Sequence, residues 1–81
     1  MKIEILYFAQ LRETLNRDKD IIDLPEGAVV SDVVSWVLEQ PGTKHLRANS
    51  FMKAVNEEFC KDTHKLACND RVAILPPVSG G

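Results

Sequence analysis

Val30, Val33, Val34, Val37 and Leu38 recur at i, i+3, i+4, i+7 and i+8, a spacing that lines up one face of an α-helix and that strict strand alternation cannot produce. Valine favours strands by propensity, so here the period overrides the residue type. The stripe predicts one main helix over residues 29–40. Ser31 suits its N-cap, Asp32 its positive first turn, and Pro41-Gly42 its stop. A single apolar stripe needs a second layer to cover it, and the rest of the chain must supply that layer.

Residues 2–8 (KIEILYF) set Ile3, Ile5 and Tyr7 on one face and Glu4, Leu6 and Phe8 on the other, which reads as a strand. Phe8, Leu11 and Leu15 then follow a helical period, so a short helix over 9–15 ends near Asn16. A second strand covers 20–24 (DIIDL) and closes at Pro25-Glu26-Gly27. Residues 43–50 are polar and irregular, with room for one helical turn at 44–47. From Phe51 a hairpin fits, through Met52, Ala54 and Val55, turning at Asn56-Glu57 and returning through Phe59 and Cys60. Asn69-Asp70 marks a further turn, and 71–75 (RVAIL) a last strand. The order strand, short helix, strand, long helix, then returning strands predicts an α+β β-grasp: a mixed sheet of about five strands crossed by the main helix. Residues 1–75 form the domain, and 76–81 a flexible C-terminal Gly-Gly tail.

Size and charge narrow the function. With 81 residues the core is small and leaves little room for an enclosed active site. Ten Lys and Arg against twelve Asp and Glu give a net charge of -2, with no basic run to hold nucleic acid. No apolar run approaches the roughly 20 residues of a membrane-spanning helix. Two cysteines are too few for a disulfide scaffold, and no apolar signal segment follows Met1-Lys2, so a reducing cytoplasm is the expected compartment.

Few residues bear chemistry. Cys60, His64 and Cys68 would align on a helix, but Asp62-Thr63 and Asn69-Asp70 break one, and a fourth ligand is missing, so no metal site is expected. Cys60 is expected to be a buried strand residue, and Glu57-Glu58 a solvated turn. Trp36 lies off the valine stripe and His45 in a polar loop, neither of which requires a function. The tail is more informative. Pro76 and Pro77 can neither pair in a sheet nor continue a helix, and the six residues 76–81 (PPVSGG) could reach roughly 20 Å. Gly80 and Gly81 lack Cβ atoms, so a narrow channel could pass them and a reagent could approach the carboxylate from any side. A carboxylate is inert to nucleophiles until its oxygen becomes a leaving group, so the chain would do nothing alone. A bare Gly-Gly is by itself an ordinary frayed end; PPVSGG at the end of a small β-grasp is more specific.

YFAQLRE early in the chain, AVN in the middle, and ND followed by RVAILPPVSGG at the end resemble the family of small, sulfur-carrying subunits of molybdopterin synthase, ubiquitin-like β-grasp proteins. The likeness covers essentially the whole chain, with Asn69 standing where the family commonly has Gly. It implies that an activating enzyme resembling ubiquitin E1 uses ATP to adenylate Gly81. A sulfur donor then converts it to a thiocarboxylate, with Gly80 as the hinge. The tail (Pro76, Pro77, Val78, Ser79, Gly80, Gly81) would enter a large catalytic subunit, in a heterotetramer of two small and two large subunits. There it would give sulfur to cyclic pyranopterin monophosphate in molybdenum cofactor synthesis. No cofactor is bound by the chain itself. The resemblance also implies an apolar docking surface, to which Phe8, Phe59 and Leu75 map; by residue type alone these would be core. Arg12 would take a structural or rim role. Alternatives are a sulfur carrier for thiazole or tRNA thiolation, a ubiquitin-like protein modifier, and an interaction module with an inert tail.

Overall fold

In the computed structural model, which describes residues 1–76, the chain folds as β1 (Lys2–Tyr7), α1 (Ala9–Leu15), β2 (Lys19–Asp23), α2 (Val30–Leu38), a 3-10 turn (Ala48–Ser50), β3 (Met52–Val55), β4 (Glu58–Phe59) and β5 (Arg71–Leu75). The sheet has five strands in the order β2-β1-β5-β3-β4. β1 and β5, the first and last strands, run parallel at its centre, with Ile5 opposite Val72 and Tyr7 opposite Ile74. The other pairings are antiparallel. This is the α+β β-grasp expected from the element order, in the ubiquitin-like form that the resemblance implies.

The core lies between α2 and one sheet face. Ile3, Ile5, Val72, Val30 and Val33 are wholly buried, joined by Tyr7, Ile74, Val34, Val37 and Val55. The alternation of β1 supplies one half of this layer and the valine stripe the other. Leu11 and Leu15 of α1 close one end, and the helix stops at Asn16 with φ 57°. The hairpin turns through Asn56 and Glu57, both at positive φ, the geometry that matches strand twist in a two-residue turn. Asn69, at φ 69°, makes the last turn.

Several details differ from the sequence reading. The N-cap of α2 is Val29, not Ser31. The Val29 amide donates to the Asp32 carboxylate at 2.8 Å, so Asp32 caps as well as charging the first turn. Phe8 stands outside β1, as the extended residue that precedes α1. β2 begins at Lys19 and ends at Asp23, one residue earlier at each end than its hydrophobic run indicates. The helical turn in 43–50 lies at its end, Ala48–Ser50, rather than at 44–47. The Thr43 hydroxyl instead donates to the α2-end carbonyls, with Leu38 O at 2.8 Å and Gln40 O at 2.7 Å. Cys60 lies just past β4 and is only partly buried, because the two-residue strand ends before it can be enclosed.

Candidate functional site

Burying Ile3, Ile5 and Tyr7 against α2 turns Leu6 and Glu4 to the opposite, helix-free face. The same alternation brings Arg71, Ala73 and Leu75 of β5 to that face, and Met52 and Ala54 of β3. The register assembles these residues into rows. Lys19, Leu6, Ala73, Ala54 and Phe59 are successive cross-strand neighbours, while Met52 pairs with Leu75 and Ile21 with Glu4 beside Arg71. Phe8 continues the extended path of β1 (φ −134°, ψ 156°), and Tyr7 before it is paired with Ile74. Phe8 and Leu75 therefore leave the sheet at the same end.

The open face thus has two halves. Leu6, Phe8, Met52, Ala73, Leu75 and Phe59 form an apolar half that runs from the end of β5 back to the row of Ala73 and across it to β4. Glu4, Lys19, Ile21 and Arg71 make a charged half, in which Glu4 receives Arg71 at 2.6 Å through Nε and Lys19 at 3.8 Å through Nζ. Phe8 is 41% and Phe59 68% exposed, too large an apolar area to leave in water without a purpose on a domain this small. Leu75 is partly buried. The resemblance-based choice of Phe8, Phe59 and Leu75 thus falls on one face, whereas reading by residue type alone would have put them in the core. Leu6 is readable from strand alternation; Met52 joins only through the β3–β5 register, which no local signal specifies.

Pro76, the last described residue, is exposed at the end of β5. Pro77, Val78, Ser79, Gly80 and Gly81, expected to carry the chemistry, lie outside the described residues. The concave features of the described residues are open grooves. One beside the hairpin is lined by Phe59, Cys60, Lys61 and His64. Burial, reinforced by the nearby Asp62, raises the Cys60 thiol above its ordinary value, so this cysteine is not an activated nucleophile. Among the described residues no group of three His, Cys, Asp or Glu side chains converges to hold a metal ion. Arg12 pairs with Asp18 at 2.8 Å, both well exposed, one helical turn after Phe8, whose carbonyl accepts from the Arg12 amide at 3.4 Å. No helix of the described residues is long and apolar enough to cross a membrane.

Known proteins share this architecture. The chain is 34% identical to a molybdopterin synthase sulfur carrier subunit of Chlamydomonas reinhardtii, over the full length of both. It matches the crystal structure of SAMP1 from Haloferax volcanii at a TM-score of 0.78 and 26% identity, again with full coverage of both chains. A Helicobacter pylori structure, a complex of subunits 1 and 2 of molybdopterin-converting factor, contains a chain of the same fold, with a TM-score of 0.71, 21% identity and full coverage of both. The ThiS family model matches residues 5–81, taking in both the sheet that builds the apolar face and the Gly-Gly end. With its β-grasp architecture and a family match that runs almost from end to end, the chain belongs to the ThiS family.

Proposed function

We propose that this chain is the sulfur carrier subunit of a molybdopterin synthase, and that its reacting group is the carboxylate of Gly81. The observation that carries the reading is the likeness to a sulfur carrier subunit over the full length of both chains. The apolar half of the open face supports it, because a carrier must dock its domain before its tail can be threaded.

The chemistry follows from the carboxylate. Its oxygen attacks the α-phosphorus of ATP on an E1-like activating enzyme, pyrophosphate leaves, and an acyl-adenylate forms at Gly81. A sulfur donor then attacks the acyl carbon and AMP leaves. Where the donor is a persulfide, the first product is an acyl disulfide. A second thiol attacks its donor-side sulfur, the donor leaves as a mixed disulfide with that thiol, and the thiocarboxylate is released, ionised at neutral pH because its charge is shared between sulfur and oxygen. Phe8, Phe59 and Leu75 dock on the large catalytic subunit, and residues 76–81 deliver the sulfur to cyclic pyranopterin monophosphate there. Each dithiolene needs two sulfurs, so two loaded carriers or two loading rounds serve each pterin, in keeping with two small and two large subunits per assembly. The cytoplasm, where thiols stay reduced, suits this reaction.

Intact mass spectrometry tests the reading. After incubation with ATP, activating enzyme and a sulfur source, one oxygen is replaced by sulfur, and fragmentation assigns it to Gly81. Pterin sulfuration that persists after deletion of Gly81 overturns the proposal. The likeness to SAMP1 favours a second reading, in which the activated Gly81 forms an isopeptide bond with a lysine. That reading requires covalent ladders of higher mass in cells, lost with the same deletion.

A further inference from the structure

The hydrogen bonding of β2 leaves a self-complementary edge. Met1 and Leu24 exchange both backbone bonds, at 2.8 and 2.9 Å, and the Tyr7 amide donates to Asp18 O at 2.8 Å. Antiparallel ladders alternate, so Asp18, Asp20 and Ile22 direct their backbone groups at β1, while Lys19, Ile21 and Asp23 direct theirs away from it. β2 ends the sheet, and its outer edge has no strand partner among the described residues.

The side chains on that edge read Lys19, Ile21, Asp23 along the open face, all exposed, with Ile21 62% exposed. An antiparallel copy centred on Ile21 sets Ile21 opposite Ile21 and each Lys19 opposite the other copy's Asp23. All three are residues whose amides and carbonyls already point outward. A one-residue slip in either direction would bring inward-directed backbone groups to the edge, so charge and hydrogen bonding select the same register. On the other face the copy brings Ile22 beside Asp20, a carboxylate that would normally guard such an edge. Here Asp20 is already held by the Tyr7 hydroxyl at 2.6 Å and Arg17 Nε at 2.7 Å, so its charge is compensated within its own chain.

We propose that β2 is a homotypic docking edge, through which two copies of this chain join into one continuous sheet about a two-fold axis at Ile21. The symmetric contact is isologous, and because the axis stands perpendicular to the sheet, both apolar half-faces look the same way. β4, β3 and Leu75 stay clear of the junction, and Leu6, paired with Lys19, is where the edge borders the apolar half.

Sedimentation velocity on the full chain, from micromolar concentration to about 1 mM, a range that detects association as weak as roughly 4 kcal/mol, tests this. The wild type forms a reversible dimer. Ile21→Lys sets like charges opposite each other and weakens the dimer by at least about tenfold. Lys19→Asp and Asp23→Lys are each monomeric alone but form a heterodimer when mixed. In the mixed pair the carboxylate introduced at position 19 of one copy faces the ammonium introduced at position 23 of the other. The unchanged Asp23 of the first copy then faces the unchanged Lys19 of the second. That rescue also shows that both variants are folded. A wild type that stays monomeric over the whole range, a dimer indifferent to Ile21→Lys, or single variants that do not pair on mixing overturns the proposal.

Discussion

Tyr7 is almost wholly buried, yet its ring carries a hydroxyl that must find an acceptor. It donates to Asp20 Oδ2 at 2.6 Å, and Arg17 completes the group by donating to the same carboxylate oxygen and to Leu15 O, with its guanidinium 5.8 Å from the Tyr7 ring centre. Burial first, and the bond to Asp20 second, push the phenol well above its ordinary value. The sign of the linkage follows. Below pH about 10 the phenol is protonated in both folded and unfolded chains and its contribution is intact; above that the unfolded chain releases the proton while the folded one holds it. Stability therefore falls as pH rises beyond about 10. Tyr7→Phe should cost about 1.5 kcal/mol at neutral pH, the lower end for a bond to a charged acceptor because Arg17 still satisfies Asp20. It should also flatten the alkaline fall, as urea titrations at pH 7 and pH 11 would measure. An unchanged alkaline slope in Tyr7→Phe would assign that fall to other groups. This cluster is invisible in the sequence because its members meet across strands. The turns at Asn16, Asn56 and Asn69 are legible, since each needs only a local tolerance for positive φ.

At the scale of elements, period is the most readable signal and ends the least. The α2 stripe follows from spacing alone, while its N-cap shifts from Ser31 to Val29 because Asp32 reaches back to the Val29 amide. β2 starts at Lys19 rather than at its apolar run because the ladder with β1 sets its length. Lys53 shows a tertiary override of a different kind. In β3 it pairs with Ile74 and so lies on the helix side, where it is 7% exposed. Its ammonium donates to Ala48 O at 2.8 Å and pairs with Asp62 at 3.0 Å, joining the 3-10 turn to the loop after β4. The two partners are unequal, since Asp62 is half-exposed and can be solvated alone while Lys53 cannot. Asp62→Asn should therefore destabilise by on the order of 1 kcal/mol, discounted for solvent screening of the exposed carboxylate. Lys53→Met, which keeps the apolar stem and removes the buried charge, should lose less. Chemical denaturation of both variants checks the order, and the reverse order would mean that the pair stabilises by attraction rather than by sheltering Lys53.

At the scale of the molecule, the division of the open face decides what the chain can do. The apolar half carries Phe8, Leu75 and Met52 beside the strand that leads to Pro76, with Phe59 on the outer strand β4; Glu4 and Arg71 lie toward the other end, and Lys19 at the opposite edge of the row of Phe59, in ion pairs. No folding requirement produces that split, because Phe59 and Ile21 are among the most exposed large apolar residues and neither fills the core. Replacing either one should therefore leave stability within about 0.5 kcal/mol, which makes the pair a clean probe of docking. If the apolar half receives the large subunit, Phe59→Asp should weaken that association by at least about tenfold, the least expected of an exposed aromatic side chain on the docking face. Ile21→Ala, on the charged half, should leave it unchanged. Titration calorimetry against the purified large subunit measures both. Equal losses would place the dock elsewhere on the sheet. A loss confined to Phe59→Asp ties docking to the half of the face that contains Leu75, the last residue of β5, so that one contact holds the domain at the end of the strand that leads to Pro76.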